Sequence, residues 1–373
     1  MGKTVASLTF QEHHVEGYER VVEISDEQSG LHAIVAIHDT RLGPALGGIR
    51  VYPYATFEQA LNDVLRLSKG MTYKAAITET GTGGGKSVII ADYKKPKAKE
   101  LLLAFAEAVN HFEGHYICAE DVGMPISDLA VVGRKTRFAV GLPDPKSSGD
   151  PSPFTAFGGF RGIQAVCKKL WGQDSVQGKR IAIQGLGSVG RKLAEHLFWH
   201  GAHLIVTDIE PGAMARAVKD FGAEAVAPEK ILSVECDILA PCALGAIINS
   251  NTIPHLRCQA VAGLANNQLA HPSDGEALLK RGILYAPDFV INAGGLLNVC
   301  VECEEKGYNS FVARQHVERI YGLLLTIFAL ADEKKASTSQ IANEIAEYNL
   351  DHGVGKRTTE LVFHHESLEE TPA

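Results

Sequence analysis

Lys179-Arg-Ile-Ala-Ile-Gln184, followed at once by Gly185-Leu-Gly-Ser-Val-Gly190 and, one helix later, by His203-Leu-Ile-Val-Thr-Asp208, decides the fold. The first run is short, apolar and rich in isoleucine, so it reads as a buried strand. The second opens a helix that runs to His200 and stops at Gly201, and the third is the next strand. A glycine triad alone is a weak signal. Here it lies between a strand and a helix, and an acid closes the following strand. Gly185 permits the tight turn, Gly187 lets backbone approach a pyrophosphate, and Gly190 lets the helix close on the strand. The helix N-terminus adds N–H groups and the positive end of its dipole. Asp208, roughly 20 residues beyond the first glycine, stands where a carboxylate binds both ribose hydroxyls of NAD and repels a 2′-phosphate. The expected dinucleotide residues of this stretch are Gly185, Leu186, Gly187, Ser188, Val189, Gly190, Asp208 and Ile209. The competing reading is a Gly-rich turn in an ordinary α/β domain.

Further short apolar runs at 236–240, 259–262 and 283–286 continue the alternation of strand and helix, which predicts a parallel, doubly wound sheet. On the N-terminal side the pattern breaks at Gly141-Leu-Pro-Asp-Pro-Lys-Ser-Ser-Gly-Asp-Pro-Ser-Pro153, whose density of Pro, Gly and Ser marks a domain boundary or hinge. Before it, Arg20-Val-Val-Glu-Ile-Ser25 and Leu31-His-Ala-Ile-Val-Ala-Ile-His38 read as strands, and 57–67 and 98–112 as amphipathic helices. Residues 310–352 read as largely helical.

Composition agrees with two folded α/β domains. The chain has 373 residues, 45% of them hydrophobic and 21% charged, which excludes disorder, collagen and coiled coil. A net charge of −8 gives no electrostatic footprint for nucleic acid. The apolar run at 320–331 is too short for a bilayer, which needs about 20 residues. The N-terminus, MGKTVASLTF, has no apolar signal core, and Ala6 breaks the myristoylation pattern. Seven cysteines, odd in number and scattered through apolar stretches, suit a reducing cytoplasm. Cys300-Val-Glu-Cys303 has no second pair for zinc and reads as two thiols one helical turn apart, so no metal is expected.

Two lysines sit among glycines and apolar residues: Lys74 in KGMTYK, and Lys86 in TGTGGGKSVII. Lys86 enters a run of Val and Ile, which places its stem on a strand. Burial there would lower its pKa and make it a general base or hydrogen-bond donor near neutral pH. A phosphate-binding loop is the alternative, but the stretch lacks the strand-before, helix-after context. Asp121, in Ala119-Glu-Asp-Val-Gly123, reads as a candidate acid or simply a turn residue before Gly.

GPALGGIR, KGMTYK, GGGK, AEDVG, SSGDPSPFTAFG, GLGSVG, ECDILAPCALGA, ANNQL and YAPDFVINAGG follow one another in the order seen in the glutamate/leucine/phenylalanine/valine dehydrogenases. The resemblance spans about residues 40–350 and is closest to the leucine-type members. It implies a substrate-binding and oligomerisation domain from 1–141 completed by helices at 336–373, a Rossmann NAD-binding domain at 142–335, and an active site in the cleft. By the same resemblance Lys74 holds the substrate α-carboxylate, Lys86 is the catalytic lysine, and Asp121 serves the amino group. Leu46, Gly47, Met71, Ala119, Leu296 and Val299 belong to the substrate site, and Thr155, Asn266 and Asn292 to the cofactor site. The resemblance further implies reversible, NAD-dependent deamination of an amino acid to a 2-oxo acid and ammonia. It also implies a homo-oligomer, an octamer.

Leu46 and Val299 stand where the glutamate-specific members carry a lysine and a serine. A substrate carboxylate would be stranded there, so branched-chain amino acids are expected instead. Several positions depart from the family pattern: Ala75, Asp150, Leu264, and the segment Ile77-Thr-Glu-Thr-Gly-Thr82. In that segment Glu79 would raise the pKa of Lys86 if buried beside it. The alternatives are another apolar substrate such as phenylalanine, a non-catalytic NAD-binding relative, or a 2-hydroxy-acid dehydrogenase. The last would need a His–acid pair and a carboxylate-binding Arg, and none of the motif segments contains a histidine.

Overall fold

The structure is a computed structural model, and it describes residues 8–243 and 245–364. The N-terminal readings on 1–7, Leu244 of the ECDILAPCALGA segment, and the last residues of the expected 336–373 region lie outside the described residues. The described chain forms two compact units.

The first unit takes in Met1–Asp150, Val299–Ser310 and Ala346–Ala373, as far as they are described. Its elements begin with β1 (Thr9–Glu12), β2 (Arg20–Asp26), β3 (Leu31–Asp39), β4 (Ala45–Tyr52), α1 (Phe57–Thr78) and β5 (Gly83–Ile90), and continue with α2 (Lys99–Asn110), β6 (Tyr116–Glu120) and α3 (Ile126–Gly133). The sheet order is β1-β2-β3-β5-β4-β6. β1, β2, β3 and β5 pair antiparallel, whereas β4 runs parallel to both β5 and β6. Side chains alternate across a pleated strand, and this sheet buries both faces. Val22, Ile24 and Val35 pack with Phe105 and Phe112 around α2, while Val21, Ile34 and Val88 pack with Ala60 and Val64 of α1. α1 runs well past the expected 57–67, because buried positions recur at Ser68, Thr72, Ala75 and Ala76 and keep one face of the helix packed against the sheet.

The second unit takes in Pro151–Asn298 and Phe311–Ile345. It contains α4 (Ser152–Trp171), β7 (Arg180–Gln184), α5 (Ser188–Trp199), β8 (His203–Thr207), α6 (Pro211–Phe221), β9 (Glu224–Ala225), β10 (Ile238–Pro241), β11 (Ala260–Val261), α7 (Ser273–Lys280), β12 (Leu284–Tyr285) and α8 (Asp288–Ile291). Helix α9 (Gly294–Glu302) begins in this unit and ends in the first; α10 (Ser310–Lys334) and α11 (Thr338–His352) follow. The six strands lie in the order β12-β11-β10-β7-β8-β9, and every pair is parallel. Counted from β7, this is the 3-2-1-4-5-6 order of the dinucleotide-binding fold, with its switch point between β7 and β10.

The turn-rich 141–153 segment contains the passage from one unit to the other. The C-terminal part divides later than 336. α10 stays with the second unit, since Val317 and Ile320 lie over Gly158 of α4 and Leu324 over Gly162. The start of α11 is tied to the second unit by the Thr338 hydroxyl donating to the Tyr285 carbonyl. Its end belongs to the first unit, where the Asn349 amide donates to the Ala76 carbonyl.

Candidate active site

The first unit builds its site across three parallel strands. β4 lies between β5 and β6, with Gly48 opposite Ala119 and Ile49 opposite Ser87. A Cβ at Gly47 would drive into the Gly85 carbonyl, and one at Gly48 would come 2.7 Å from the Asp121 Cβ. The glycine pair in the middle strand therefore lets the backbones of β5 and β6 and the start of the Asp121 side chain approach closely. Lys86 of β5 and Asp121, just past β6, form an ion pair: Lys86 Nζ lies 2.9 Å from Asp121 Oδ2. Lys86 is only 5% exposed.

Burial is the largest influence on both groups. It lowers the Lys86 pKa, against the opposing pull of Asp121. It pushes Asp121 up, but Lys86 and Arg50 together outweigh it, and the carboxyl ends below its usual range. The pair thus joins a lysine that gives up its proton more easily than usual to a carboxylate that stays ionised.

The Gly83-Gly84-Gly85 run packs backbone rather than cradling phosphate. A Cβ at Gly84 would collide with the backbone of Thr72 on α1, so the helix lies directly on β5. That contact sets α1, with Met71 and Lys74 on either side of Thr72, at the strand carrying Lys86. Met71 and Lys74 are both partly buried. Leu46 is 3% exposed on β4, opposite Gly84 and Ile117. Leu296 and Val299, one turn apart on α9, are also buried.

One expectation changes, and one residue is added. Glu79 is not beside Lys86: it is exposed and caps α1 in the left-handed conformation at φ 53°. The carboxylates that raise Lys86 are Asp121 and Asp63. Arg50 was not singled out from sequence, yet its Nε lies 3.1 Å from Asp121 Oδ2 and its Nη1 3.0 Å from Asp63 Oδ2. The available signal was a charged residue between Ile49 and Val51 in an otherwise apolar strand, which must have a buried partner. Cys300 and Cys303 are free and buried, and burial raises the Cys300 thiol to about 12, so it is a packing group. Among the described residues no cluster of His, Cys, Asp and Glu could hold a metal ion.

In the second unit the glycine turn lies at the sheet's switch point. Gly185 has φ +96°, and a Cβ there would come 2.7 Å from that of Ala243, just past β10. A Cβ at Gly190 would strike the Gly185 carbonyl, whereas one at Gly187 would meet nothing within 4 Å. The first and third glycines are thus needed by the fold itself, and the second leaves open space at the N-terminus of α5. Asp208 Oδ2 accepts from the Leu186 N–H at 2.6 Å and Oδ1 from the Glu210 N–H at 2.8 Å, so the acid is tied to the turn. Ile209 beside it is 86% exposed. Asn292 donates to Asn266 Oδ1 at 2.7 Å, and its own buried Oδ1 accepts from no group among the described residues. The Thr155 hydroxyl donates to the Pro151 carbonyl, and Gly295 gives it room. An open glycine, a ribose-type acid and a buried amide oxygen awaiting a donor fit a nicotinamide dinucleotide.

Residues 18–138 match the family described as Glu/Leu/Phe/Val dehydrogenase, dimerisation domain, and residues 208–351 match Glutamate/Leucine/Phenylalanine/Valine dehydrogenase. The chain is 48% identical over 335 residues to the leucine dehydrogenase of Geobacillus stearothermophilus, covering 90% of this chain and 91% of that one. The chain belongs to the glutamate/leucine/phenylalanine/valine dehydrogenase family. It is also 44% identical over 338 residues to the valine dehydrogenase of Streptomyces virginiae, covering 90% of this chain and 94% of that one. The crystal structure of L-tryptophan dehydrogenase from Nostoc punctiforme superposes with a TM-score of 0.76 at 42% identity, covering 90% of this chain and 97% of that one. The protein is therefore an amino acid dehydrogenase with a nicotinamide cofactor, built on the two-domain α/β fold of this family. Among the described residues no helix is long and apolar enough to cross a membrane.

Proposed function

We propose that the protein catalyses reversible, NAD-dependent oxidative deamination of leucine, isoleucine and valine to their 2-oxo acids and ammonia. The buried ion pair of Lys86 and Asp121, 2.9 Å apart, carries this reading. Lys74 holds the substrate α-carboxylate, because a carboxylate needs a fixed cation to orient it. NAD supplies the acceptor for the hydride that leaves Cα. Lys86, in its neutral form, takes a proton from the water that attacks the resulting iminium carbon, and Asp121 moves protons to and from the amino group as ammonia departs. In sum, amino acid, NAD and water give 2-oxo acid, ammonium, NADH and a proton. Leu46, Gly47, Met71, Ala119, Leu296 and Val299 shape the apolar side of the substrate site.

Asp208 selects NAD over NADP by facing any 2′-phosphate with its charge. Thr155, Asn266 and Asn292 hold the nicotinamide end, and the glycine turn holds the pyrophosphate. The match to a dimerisation domain supports a homo-oligomer, which we take to be an octamer. The free cysteines suit the cytoplasm. The test is NADH formation from leucine, together with ammonia-dependent NADH oxidation with 4-methyl-2-oxopentanoate. NADH oxidation that does not need ammonia would point to a hydroxy-acid dehydrogenase instead.

A further inference from the structure

Lys86 and Asp121 do not sit alone. Arg50, 16% exposed at its side chain, lies between two carboxylates, with Nε on Asp121 and Nη1 on Asp63. Asp63, on α1, is held in turn: the Tyr54 hydroxyl donates to its Oδ2 at 2.6 Å, and Arg66 Nη2 reaches its Oδ1 at 3.0 Å. Tyr54 follows β4, so strand and helix both fix the guanidinium from behind. Two cations, Lys86 and Arg50, face two carboxylates, Asp121 and Asp63. Of the two cations only Lys86 can lose its proton, since a guanidinium does not titrate in proteins. When Lys86 is neutral, Asp121 would be a buried charge with no counter-ion were it not for Arg50. An unpaired buried carboxylate of that kind is strongly disfavoured.

We propose that Arg50, anchored by Asp63 and Tyr54, is a positioning residue whose permanent charge keeps Asp121 ionised and favours the neutral form of Lys86. The inference rests on the catalytic reading of that pair. The other groups facing the pair do not supply this charge. Tyr116 on β6 is buried and stays neutral, its single hydroxyl proton going to the Gly47 carbonyl while Ser87 Oγ lies 3.0 Å from its oxygen. Tyr54, whose hydroxyl is held by Asp63, is likewise kept protonated by burial. Arg50 lowers both members of the pair and Asp63 raises Lys86, so removing one or the other moves the pair in opposite directions.

The experiment is the pH profile of kcat/KM for leucine oxidation in the unmodified protein and in Arg50→Gln, Arg50→Lys and Asp63→Asn, each with a thermal melt. The acidic limb belongs to the coupled pair rather than to one residue. Arg50→Gln should move it up by about one pH unit, the usual effect of a neighbouring charge. Asp63→Asn should move it down, and Arg50→Lys should restore it to near the unmodified value. A merely structural role would lower rate or melting temperature without opposite-signed shifts. If Arg50→Gln does not fold, the downward shift in Asp63→Asn and the unmoved limb in Arg50→Lys still decide. A limb that stays put or rises in Asp63→Asn overturns the proposal, as does a lysine variant that behaves like the glutamine one. Absence of leucine-dependent NADH formation in the unmodified protein would instead overturn the catalytic reading itself.

Discussion

Lys74 and Lys86 are both lysines near one strand, yet their surroundings assign them different work. Lys86 is sealed in the sheet against Asp121, whereas Lys74 is partly buried on α1. Lys74→Ala should chiefly raise KM for the amino acid, because the ion pair we propose between it and the α-carboxylate would be made in ground and transition states alike. Lys86→Ala should lower kcat by at least about a hundredfold, the usual scale of a lost general base, while the KM for NAD stays within about twofold. Burial lowers Lys86, so its neutral form is reached at a lower pH than for a free lysine, and oxidation should rise with pH through that point. Lys86→Ala should abolish that rise; equal KM effects from both variants would mean the roles are misassigned. Asp208 needs a subtler variant than deletion. Its carboxylate accepts two backbone N–H groups, so Asp208→Ala would loosen the glycine turn and raise KM for both cofactors. Asp208→Asn keeps an acceptor oxygen and removes the charge, so it should narrow the NAD over NADP preference without that loss. At this scale each residue we assign to the chemistry, Lys74, Lys86 and Asp121, lies in a short sequence motif. It did not show Arg50, Asp63 and Tyr54, whose importance comes from meeting across strand and helix.

Elements explain which glycines matter and in what way. Gly84→Ala would push α1 away from β5 at Thr72, an overpacking that costs about 1–3 kcal/mol and displaces the helix bearing Lys74. It should therefore lower the melting temperature and raise the amino acid KM together. Gly187→Ala meets nothing in the protein, so its melt without cofactor should be unchanged, while the KM for NAD rises about tenfold or more as the methyl fills the pyrophosphate approach. A Gly187→Ala variant that melts early would show that this glycine serves the fold instead. The β7–α5–β8 unit was legible because strand, turn and helix signals agree within one short stretch. β4 was not, since Gly47 and Gly48 weaken strand propensity at the place where the sheet needs bare backbone. β9, β11 and β12 are two residues each, and pairing rather than local pattern defines them. The length of α1 was underestimated because Gly70 and Thr72 interrupt an apolar face that tertiary packing nevertheless completes.

The whole chain fixes the reaction class but leaves the side chain it accepts to a few positions. Relatives named for leucine, valine and tryptophan lie within 42–48% identity of this protein, so overall similarity does not choose among them. By the family resemblance we assign the choice to Leu46, Ala119, Leu296 and Val299, none of which carries a charge or a hydroxyl. A substrate carboxylate placed against such groups would lose its water without gaining a partner, at a cost of about 3 kcal/mol or more. Glutamate should therefore trail leucine by at least about a hundredfold in kcat/KM. Leucine and isoleucine are isomers and valine is one methylene smaller, a difference worth only about 1–3 kcal/mol, so the three should lead the panel together. Phenylalanine should be poor, because a rigid ring needs depth that the side chains of Leu296 and Val299 are expected to fill. Leu296→Ala removes much of that bulk and should raise activity on phenylalanine relative to valine. A panel of about twenty amino acids with NAD, run on the unmodified protein and on this variant, gives both comparisons. If phenylalanine outpaces leucine before any substitution, the pocket is larger than these four residues imply and the branched-chain assignment fails, although the deamination chemistry of Lys86 and Asp121 would stand.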